Sequence, residues 1–261
     1  DSKQRVAAIV APSFPAEFSE IKNHRLLVSL IRAQGFRYVS EVSFGADLVA
    51  REYKKIIQSK RYPPVISSDC PAIVNYIEHY HPDLVGSLAN IVSPMVAMTR
   101  VMRRKYGADL KIVFIGPCIA KKDESTEVDA AITFRELREM INQTGLKPAE
   151  VSPSEFDPPL GGKGSIFPVS RGLLNTMEVE EDIFERNVIV ADGRKDFQEA
   201  IREFESGQIA QEHLELLCCE GCIMGPGMSP YPFLSSLSRR FRKRASVSDY
   251  VIHPAPKHYL F

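Results

Sequence analysis

The sequence has no excess charge of either sign, no long apolar run and few cysteines. Lysine plus arginine and aspartate plus glutamate each total 33 in 261 residues, so no overall field draws the chain to nucleic acid or to an anionic membrane. No apolar stretch approaches the ~20 residues that cross a bilayer, and the start, DSKQRVAAIV, lacks the pattern of a signal peptide. We therefore expect a cytoplasmic protein without nucleic-acid or membrane partners.

Positive charge is concentrated in one place, the run RRFRKR at residues 239–244. Apolar residues recur around it near helical spacing, at Leu234, Leu237, Phe241 and Ala245. This pattern predicts the solvated face of an amphipathic helix rather than a nucleic-acid patch. The chain begins at Asp1 rather than methionine, so we expect a piece of a longer protein.

Short β-branched runs alternate with helical patterns along most of the chain, which predicts α/β architecture with parallel sheets. The predicted strands are Val6–Pro12, Phe36–Val42, Pro64–Ser68, Leu110–Gly116, Val128–Thr133 and Asn187–Ala191. The predicted helices are Ala16–Ala33, Phe44–Ser59, Pro71–His79, Ser93–Lys105, Phe134–Asn142 and Lys195–Ser206. The segment Pro153–Gly164, with three prolines and three glycines, is predicted to be a loop.

The five cysteines fall in three segments, each just after a predicted strand or a short apolar run. They are Cys70, Cys118, Cys218, Cys219 and Cys222. An odd number of cysteines in a chain of this size favours a reducing compartment, where clustered thiols bind metal or catalyse. Ligand sites in α/β folds gather beyond the carboxyl ends of the strands. The three segments are therefore predicted to form one site.

The CxxC at Cys219 and Cys222 is shared by zinc sites, redox dithiols and iron–sulfur clusters. A redox dithiol is expected early in a thioredoxin-like fold, and a zinc ribbon needs a second CxxC or close histidines, of which His213 is the only candidate. Four thiolates from three segments fit a [4Fe–4S] cluster better. Asp69 can be read as a helix cap, and Lys121 and Glu124 as members of an exposed charge cluster.

Together the three segments resemble the signature motifs of the [FeFe]-hydrogenase catalytic domain, which is the C-terminal domain of the iron-only hydrogenase large subunit. SSDCP resembles TSCCP, GPCIAKKDE resembles MPCxxKxxE, and ELLCCEGCIMGPG resembles ExMACxxGCxxGGG. Weaker similarity lies in VAPSF, FGADL, VSPMVAM and GKGSIFPVSRGLL. The matches keep the family's order from about residue 6 to residue 230.

The resemblance implies one domain over residues 1–261, bilobal, with two parallel-type sheets flanked by helices and the cofactor between the lobes. We place one lobe at residues 1–105 plus 207–261 and the other at 106–206. The implied cofactor is the H-cluster, a [4Fe–4S] cubane joined through a cysteine to a di-iron unit with CO and cyanide ligands. The implied cubane ligands are Cys70, Cys118, Cys219 and Cys222, with Cys218 as the alternative to Cys219. Cys222 is the implied bridge to the di-iron unit.

The resemblance also assigns roles to other residues. Lys121 matches the lysine that hydrogen-bonds a cyanide, Glu124 matches a proton-relay glutamate, and Pro12 and Ser13 match the turn that lines the cluster pocket. The family's proton-carrying cysteine is replaced by Asp69, an acid that can exchange protons if its pKa is raised.

Other family positions depart from the pattern. Gly116 and Met95 replace a methionine and a glutamine, and two relay positions fall on Ala89 and Ile56. Retained ligands with a rebuilt relay predict a sensory or slow hydrogenase that exchanges H₂ and protons, with ferredoxin-like clusters or domains as electron partners. The alternative is a non-catalytic iron–sulfur protein of the same family, with a role in cluster assembly, signalling or interaction.

Overall fold

The computed structural model describes residues 5–59, 62–177, 188–209, 212–230 and 236–250. Within these ranges the chain forms six strands and nine α-helices. The strands are β1 Val6–Val10, β2 Tyr38–Glu41, β3 Lys111–Gly116, β4 Ala130–Thr133, β5 Val188–Asp192 and β6 His213–Leu217. The helices are α1 Phe14–Glu17, α2 His24–Ala33, α3 Ser43–Gln58, α4 Pro71–Tyr80, α5 Pro94–Tyr106, α6 Phe134–Thr144, α7 Gly172–Thr176, α8 Asp196–Glu205 and α9 Ser236–Tyr250.

The larger sheet has the strand order β2-β1-β3-β4, and all its pairs are parallel. Ile9, at the centre of the sheet, pairs with Ser40 on one side and Phe114 on the other. The central strand VAAIV is almost fully buried, as expected for a β-branched run covered on both faces. This sheet confirms the predicted α/β class and the parallel strands.

A second sheet is formed by β5 and β6, which also pair in parallel. The predicted strand Pro64–Ser68 is wrong: only Ile66 makes bridges there, one to Leu88 and one to Leu214 of β6. Prolines 63 and 64 carry no N–H donor, so this stretch cannot extend a ladder. The strand at His213–Leu217 is not among the predicted strands, because the sequence shows only a short apolar run there. Asn187, the predicted start of β5, lies outside the described residues.

The strand pairing does not follow the predicted lobe boundaries, and the division into lobes stays a prediction. Strands β3 and β4 fall in the predicted lobe of residues 106–206, yet β3 pairs with β1 over five residues from Val6 to Val10. Strand β5 in turn pairs with β6, although the predicted boundary at residue 206 runs between them. Parallel pairing joins strands that are far apart in sequence, so a split by chain order does not follow the sheets.

The predicted helix Ala16–Ala33 is two helices rather than one. Helix α1 ends at Glu17, and α2 begins at His24 after Asn23, whose side chain accepts a hydrogen bond from the N–H of Arg25 at 3.1 Å. An asparagine in this position satisfies an unpaired helix donor and therefore starts a new helix. Residues 152–162 contain no helix or strand, as predicted for the proline-rich loop.

Helix α9 contains the basic run, in agreement with the predicted helix. The side chains of residues 236–241 lie outside the description. Arg242 and Arg244 are exposed, as predicted for a solvated face, but Lys243 is buried, so the prediction is wrong at that residue. No helix in the described ranges is long and apolar enough to cross a bilayer.

Candidate iron–sulfur site

The three cysteine segments are joined by direct hydrogen bonds. Lys121 Nζ donates to the backbone oxygen of Asp69 at 3.1 Å, which connects the second segment to the first. The backbone N–H of Cys218 donates to the thiol of Cys70, which connects the third segment to the first. The N–H of Gly227 donates to the oxygen of Pro117 at 2.8 Å, which connects the third to the second. The predicted convergence of the cysteine segments is therefore present in the fold.

Each cysteine segment follows an element that fixes its position. Cys70 is the residue before α4, and Pro71 takes the first helical position, where its missing N–H costs nothing. Cys118 lies two residues beyond β3, and Cys218 follows β6 directly. Strand β3 belongs to the larger sheet and β6 to the smaller one. The site thus lies where the carboxyl ends of strands from both sheets meet, as expected for α/β folds.

The thiols lie close enough to influence each other's ionisation. Burial, with smaller contributions from the neighbouring Asp69 and Cys118, raises the pKa of Cys70 to about 11. Burial likewise raises the pKa of Cys222, with added repulsion from Cys70 and Cys118. Thiolates gathered in this way repel one another and need a bound cation or cluster to be stable together.

The adjacent thiols of Cys218 and Cys219 differ in surroundings. A hydrogen bond from the Cys219 thiol, with Arg194 nearby, lowers the pKa of Cys218. Cys218 also packs against the apolar cluster that contains Ile66. Cys219 instead lies within electrostatic range of Cys222 and Cys70. Of the two thiols, Cys219 is the one that interacts with the other candidate ligands.

Two glycines after Cys222 allow the third cysteine segment to approach the second segment closely. A Cβ on Gly225 would lie 2.5 Å from the oxygen of Pro117, and one on Gly227 would lie 2.8 Å from the same oxygen. Real Cβ atoms do not come this close to backbone oxygens, so only glycine fits here without a shift. The sequence Gly-Pro-Gly therefore lets the loop after Cys222 pack closely against Pro117, the residue before Cys118.

Lys121 and Glu124 form an ion pair whose two side chains are only 11% and 13% exposed. The alternative of an exposed charge cluster holds for Lys122, which pairs with the exposed Glu136 at 2.7 Å, but not for Lys121. Burial by itself lowers the pKa of Lys121, but Glu124 and the nearby cysteines outweigh it and the net shift is upward. The ammonium group is therefore held charged beside the thiols.

Asp69 is buried next to Cys70. Burial raises its pKa to about 6, although Lys121 and a hydrogen bond from Ser67 oppose the shift. Its Oδ1 atom has no hydrogen-bond partner among the described residues. The N-cap position of α4 is occupied by Cys70 rather than by Asp69, so the reading of Asp69 as the helix cap is wrong.

Pro12 and Ser13 follow β1, next to the end of β3. The N–H of Ala11 donates to the oxygen of Ile115 at 2.8 Å, which brings this turn beside the segment of Cys118. Ser13 is fully buried, and its Oγ has no partner in the described chain. At Gly116 a Cβ would lie 2.4 Å from the ring of Phe114. Phe114 therefore occupies the space that a larger residue at position 116 would need.

These residues fit a cluster better than a single ion. In the described ranges no group of three or more His, Cys, Asp or Glu side chains could hold one metal ion. A cubane is wider, because each thiolate binds a different iron atom. Three of the cysteines, Cys118, Cys218 and Cys219, also line a cleft of about 740 Å³. Soft thiolate donors, a hydrogen bond to the Cys70 sulfur and the unpartnered Ser13 and Asp69 oxygens are consistent with an iron–sulfur cofactor.

Comparison with known proteins identifies the family. The family described as "Iron only hydrogenase large subunit, C-terminal domain" matches residues 4–226. The chain belongs to this family. Iron hydrogenase 1 of Clostridium pasteurianum is 30% identical over 203 residues, which are 66% of this chain and 35% of that protein. The Periplasmic [Fe] hydrogenase large subunit of Nitratidesulfovibrio vulgaris is 24% identical, with 89% of this chain and 70% of that protein covered.

The similarity extends to a relative named for iron–sulfur cluster assembly. The Cytosolic Fe-S cluster assembly factor NAR1 of Candida dubliniensis is 28% identical over 172 residues, which are 55% of this chain and 29% of that protein. The chain therefore spans about a third of the length of both the Clostridium and the Candida relatives.

Solved structures of [FeFe]-hydrogenases have the same fold as this iron-only hydrogenase family member. The enzyme from Chlamydomonas reinhardtii superimposes with a TM-score of 0.76 at 20% identity, covering 94% of this chain and 84% of that one. An [FeFe]-hydrogenase structure on oxygen inactivation of the H cluster has a TM-score of 0.77 at 19% identity, covering 97% and 87%.

Several polar residues behind Asp69 are not among the residues that the sequence singles out. In the sequence, Glu215 is only the first residue of the third motif. In the structure it is buried, and its carboxylate accepts the N–H groups of Leu173 and Leu174 at 3.2 Å each. Tyr53 and Ser67 are also buried there. The position of this glutamate inside the mostly apolar run HLELL, residues 213–217, is the sequence signal that could have indicated a role for Glu215.

Proposed function

We propose that this domain binds a [4Fe–4S] cluster and a di-iron unit as an H-cluster and interconverts protons and H₂, or senses H₂ or redox state through the same site. The observation that supports this most is the meeting of the three cysteine segments, delivered by both sheets and joined by hydrogen bonds. Family membership and similarity to two named hydrogenases support the same proposal.

The proposed cluster ligands are Cys70, Cys118, Cys219 and Cys222, with Cys222 as the bridge to the di-iron unit. When bound, the cubane would supply electrons and the di-iron unit the site of hydrogen chemistry. Lys121 would direct its charged ammonium group toward the anionic cofactor, oriented by its ion pair with Glu124. Pro12 and Ser13 would line the pocket, and the unpartnered Ser13 hydroxyl would face a polar group of the cofactor.

Asp69 is the proposed proton carrier next to the cluster. Its raised pKa of about 6, caused by burial, lets the carboxyl take up and release a proton near neutral pH. Glu124 is a proposed relay partner on the side of Lys121, because it influences the ionisation of Asp69. The proposed electron partner is a ferredoxin-like cluster or domain, which could approach the thiols through the cleft that also contains Ile119 and Arg194. The proposed compartment is the reducing cytoplasm.

Reconstitution of the protein with the proposed cofactor tests the proposal. After anaerobic reconstitution with iron and sulfide we expect about four irons per chain. After addition of a synthetic di-iron complex we expect about two more irons per chain, infrared bands of bound CO and cyanide, and H₂ turnover. Cys222→Ser serves as the control, because it would remove both a cubane ligand and the bridge. Absence of CO and cyanide bands in the loaded wild-type protein contradicts the hydrogenase function.

The second candidate is an iron–sulfur protein without hydrogen chemistry. Similarity to NAR1 and the replacements at Gly116 and Met95 favour it. It predicts cubane signals without di-iron bands in the same experiment, with no H₂ turnover. Zinc, or no metal, after anaerobic purification contradicts both candidates.

A further inference from the structure

Helices α3 and α5 lie side by side and leave a groove open at the protein surface. Their first turns are in contact, because a Cβ on Gly45 would lie 2.3 Å from the backbone oxygen of Pro94 and 3.0 Å from Met98 Cβ. The groove lies further along both helices and has a volume of about 530 Å³. Among the described residues, its lining shares no member with the cleft beside the cysteines. It is therefore a separate surface of the domain.

The floor of the groove is apolar. Its side chains come from α3, from α5 and from the segment before α5, and they are Leu48, Val49, Ile91, Val92, Ala97 and Val101. Val49 and Ala97 are buried, while the other four are only half-buried. Covering these side chains would remove apolar surface from water, which favours binding of an apolar partner surface.

Charged side chains form the rim of the groove, and most of them are positive. The rim residues, all exposed, are Arg51, Glu52, Lys55, Arg100 and Arg104. Lys55 pairs with Glu52 at 2.7 Å, and Arg100 pairs with Glu127 at 2.7 Å. Exposed pairs of this kind contribute little stability, so these cations can exchange partners at small cost. With Glu127 included, the rim holds four cations and two carboxylates and is positive.

The shape of the groove suits a helix. The lining runs along one face of α3 from Leu48 to Lys55 and along one face of α5 from Ala97 to Arg104. Each of these stripes covers two turns, which is about 10 Å of helix. The walls are helices whose backbone groups are bonded internally, so an extended peptide finds no strand edge to pair with. An amphipathic helix can instead lay its apolar face on the floor.

We propose that this groove binds an amphipathic helix of another protein, which places its apolar stripe on the floor and acidic side chains against the rim. Charge complementarity selects this occupant, since carboxylates on both sides of the stripe would meet Arg51 and Lys55 on α3 and Arg100 and Arg104 on α5. The inference goes beyond the proposed function, because the groove needs neither the cluster nor hydrogen chemistry to bind.

Two other kinds of occupant fit the groove less well. A surface that inserts into a bilayer carries its apolar side chains outermost, whereas here they lie at the bottom, below a charged rim. Nucleic acid would bring phosphates to the rim but would leave the apolar floor uncovered. The combination of an apolar floor and a positive rim therefore favours an acidic amphipathic helix.

The first test uses the full chain and a fluorescent helical peptide of about 15 residues, with leucines along one stripe and glutamates beside it. Fluorescence anisotropy should show binding that weakens as the salt concentration rises. The same peptide with lysines in place of the glutamates should bind at least about tenfold more weakly. On binding of the acidic peptide, the methyl NMR signals of Leu48, Val92 and Val101 should shift. Binding should be the same with and without the reconstituted cluster.

Charge reversals locate the binding surface. Arg51→Glu and Arg104→Glu should each weaken binding of the acidic peptide about tenfold. Arg244→Glu makes the same change at an exposed position of α9 and should leave the affinity unchanged, which controls for the overall charge of the protein. All three positions are exposed, and equal melting temperatures of the variants check that the fold is intact.

Several outcomes would overturn the inference. Equal affinity for the acidic and the lysine peptide removes the charge argument, and methyl shifts confined to other residues place the peptide elsewhere. Self-association of the protein that Arg51→Glu abolishes in analytical ultracentrifugation would assign the groove to a second copy of this chain. Binding of anionic lipid vesicles but not of the acidic peptide would assign it to a membrane. Absence of H₂ turnover contradicts only the proposed function, since the peptide measurements do not depend on it.

Discussion

Lys121 Nζ donates a hydrogen bond to the backbone oxygen of Asp69, 3.1 Å away and 52 positions earlier in the chain. The same ammonium group pairs with Glu124. One buried cation thus ties the segment of Cys118 to the segment of Cys70 and neutralises a nearby carboxylate. This contact holds two candidate ligand segments together before any cofactor binds, and it makes Lys121 both a structural and a candidate functional residue.

Replacing Lys121 should destabilise the metal-free protein. Lys121→Met leaves the Glu124 carboxylate without its partner in a mostly buried place, and breaking such a pair costs about 3 kcal/mol. Urea unfolding measures the loss. The matched control is Lys122→Met, whose pair with Glu136 is about 40% exposed on both sides and should contribute less than about 1 kcal/mol. Equal losses in the two variants contradict the burial argument.

Of the two adjacent cysteines, Cys219 should be needed for cluster binding and Cys218 should not. Cys219→Ser should bind markedly less iron and sulfide after reconstitution, because Cys219 interacts with Cys70 and Cys222. Cys218→Ser should keep the wild-type iron content, since the Cys218 thiol is influenced by Cys219 and Arg194 rather than by Cys70 or Cys222. Anaerobic iron and sulfide quantitation with electron paramagnetic resonance distinguishes them. Loss of the cluster in Cys218→Ser alone would reverse the ligand assignment.

The close contact between Gly227 and Pro117 should leave no room for a side chain at position 227. In Gly227→Ala the new Cβ would lie 2.8 Å from the Pro117 oxygen and 2.9 Å from the Thr133 side chain. We expect a loss of about 1–3 kcal/mol of stability, as in overpacked cores, with a lower iron content after reconstitution. Gly86→Ala is the control, because nothing lies within 4 Å of its Cβ position. Wild-type stability in Gly227→Ala would show that the loop can shift freely.

Glu41 should make the stability of the metal-free protein depend on pH. Burial raises its pKa from 4.5 to about 7, against a hydrogen bond from Tyr250. Because the folded value is the higher one, its contribution is fully present below pH 4.5 and is lost as pH rises through 7. The loss approaches about 3 kcal/mol at 1.36 kcal/mol per pKa unit.

Glu41→Gln isolates this dependence from that of the other buried carboxyls. The difference in unfolding free energy between wild type and Glu41→Gln should change with pH between about 4.5 and 7, and stay constant outside that window. Tyr250→Phe removes a hydrogen bond to Glu41 of 2.9 Å and should extend the upper end of the window to higher pH. A difference that does not vary with pH would show that Glu41 is ionised in the folded protein.

Local sequence patterns are enough to predict the strands of the larger sheet and the cysteine motifs. The β-branched runs at β1 and β3 form strands wherever they are buried, and spacing rules identify CxxC without knowledge of the fold. The break between α1 and α2 escapes such patterns because a helical period continues across residues 18–23, while the cap at Asn23 is a local hydrogen bond. Strand pairing across the predicted lobe boundaries could not be predicted, because parallel pairing does not follow chain order.

The sequence by itself determined which chemistry this protein carries: five thiols in three motifs, a lysine and a glutamate behind the second, and an acid before Cys70. Only the tertiary structure decided which of these groups are buried together. It buries Lys121 more deeply than Lys122, and it lets Cys219 rather than Cys218 interact with the other candidate ligands. It also brings Ser67 and Glu215 near Asp69. The physical reason is that pKa shifts and close contacts arise from burial and from neighbours far along the chain, which no local pattern contains.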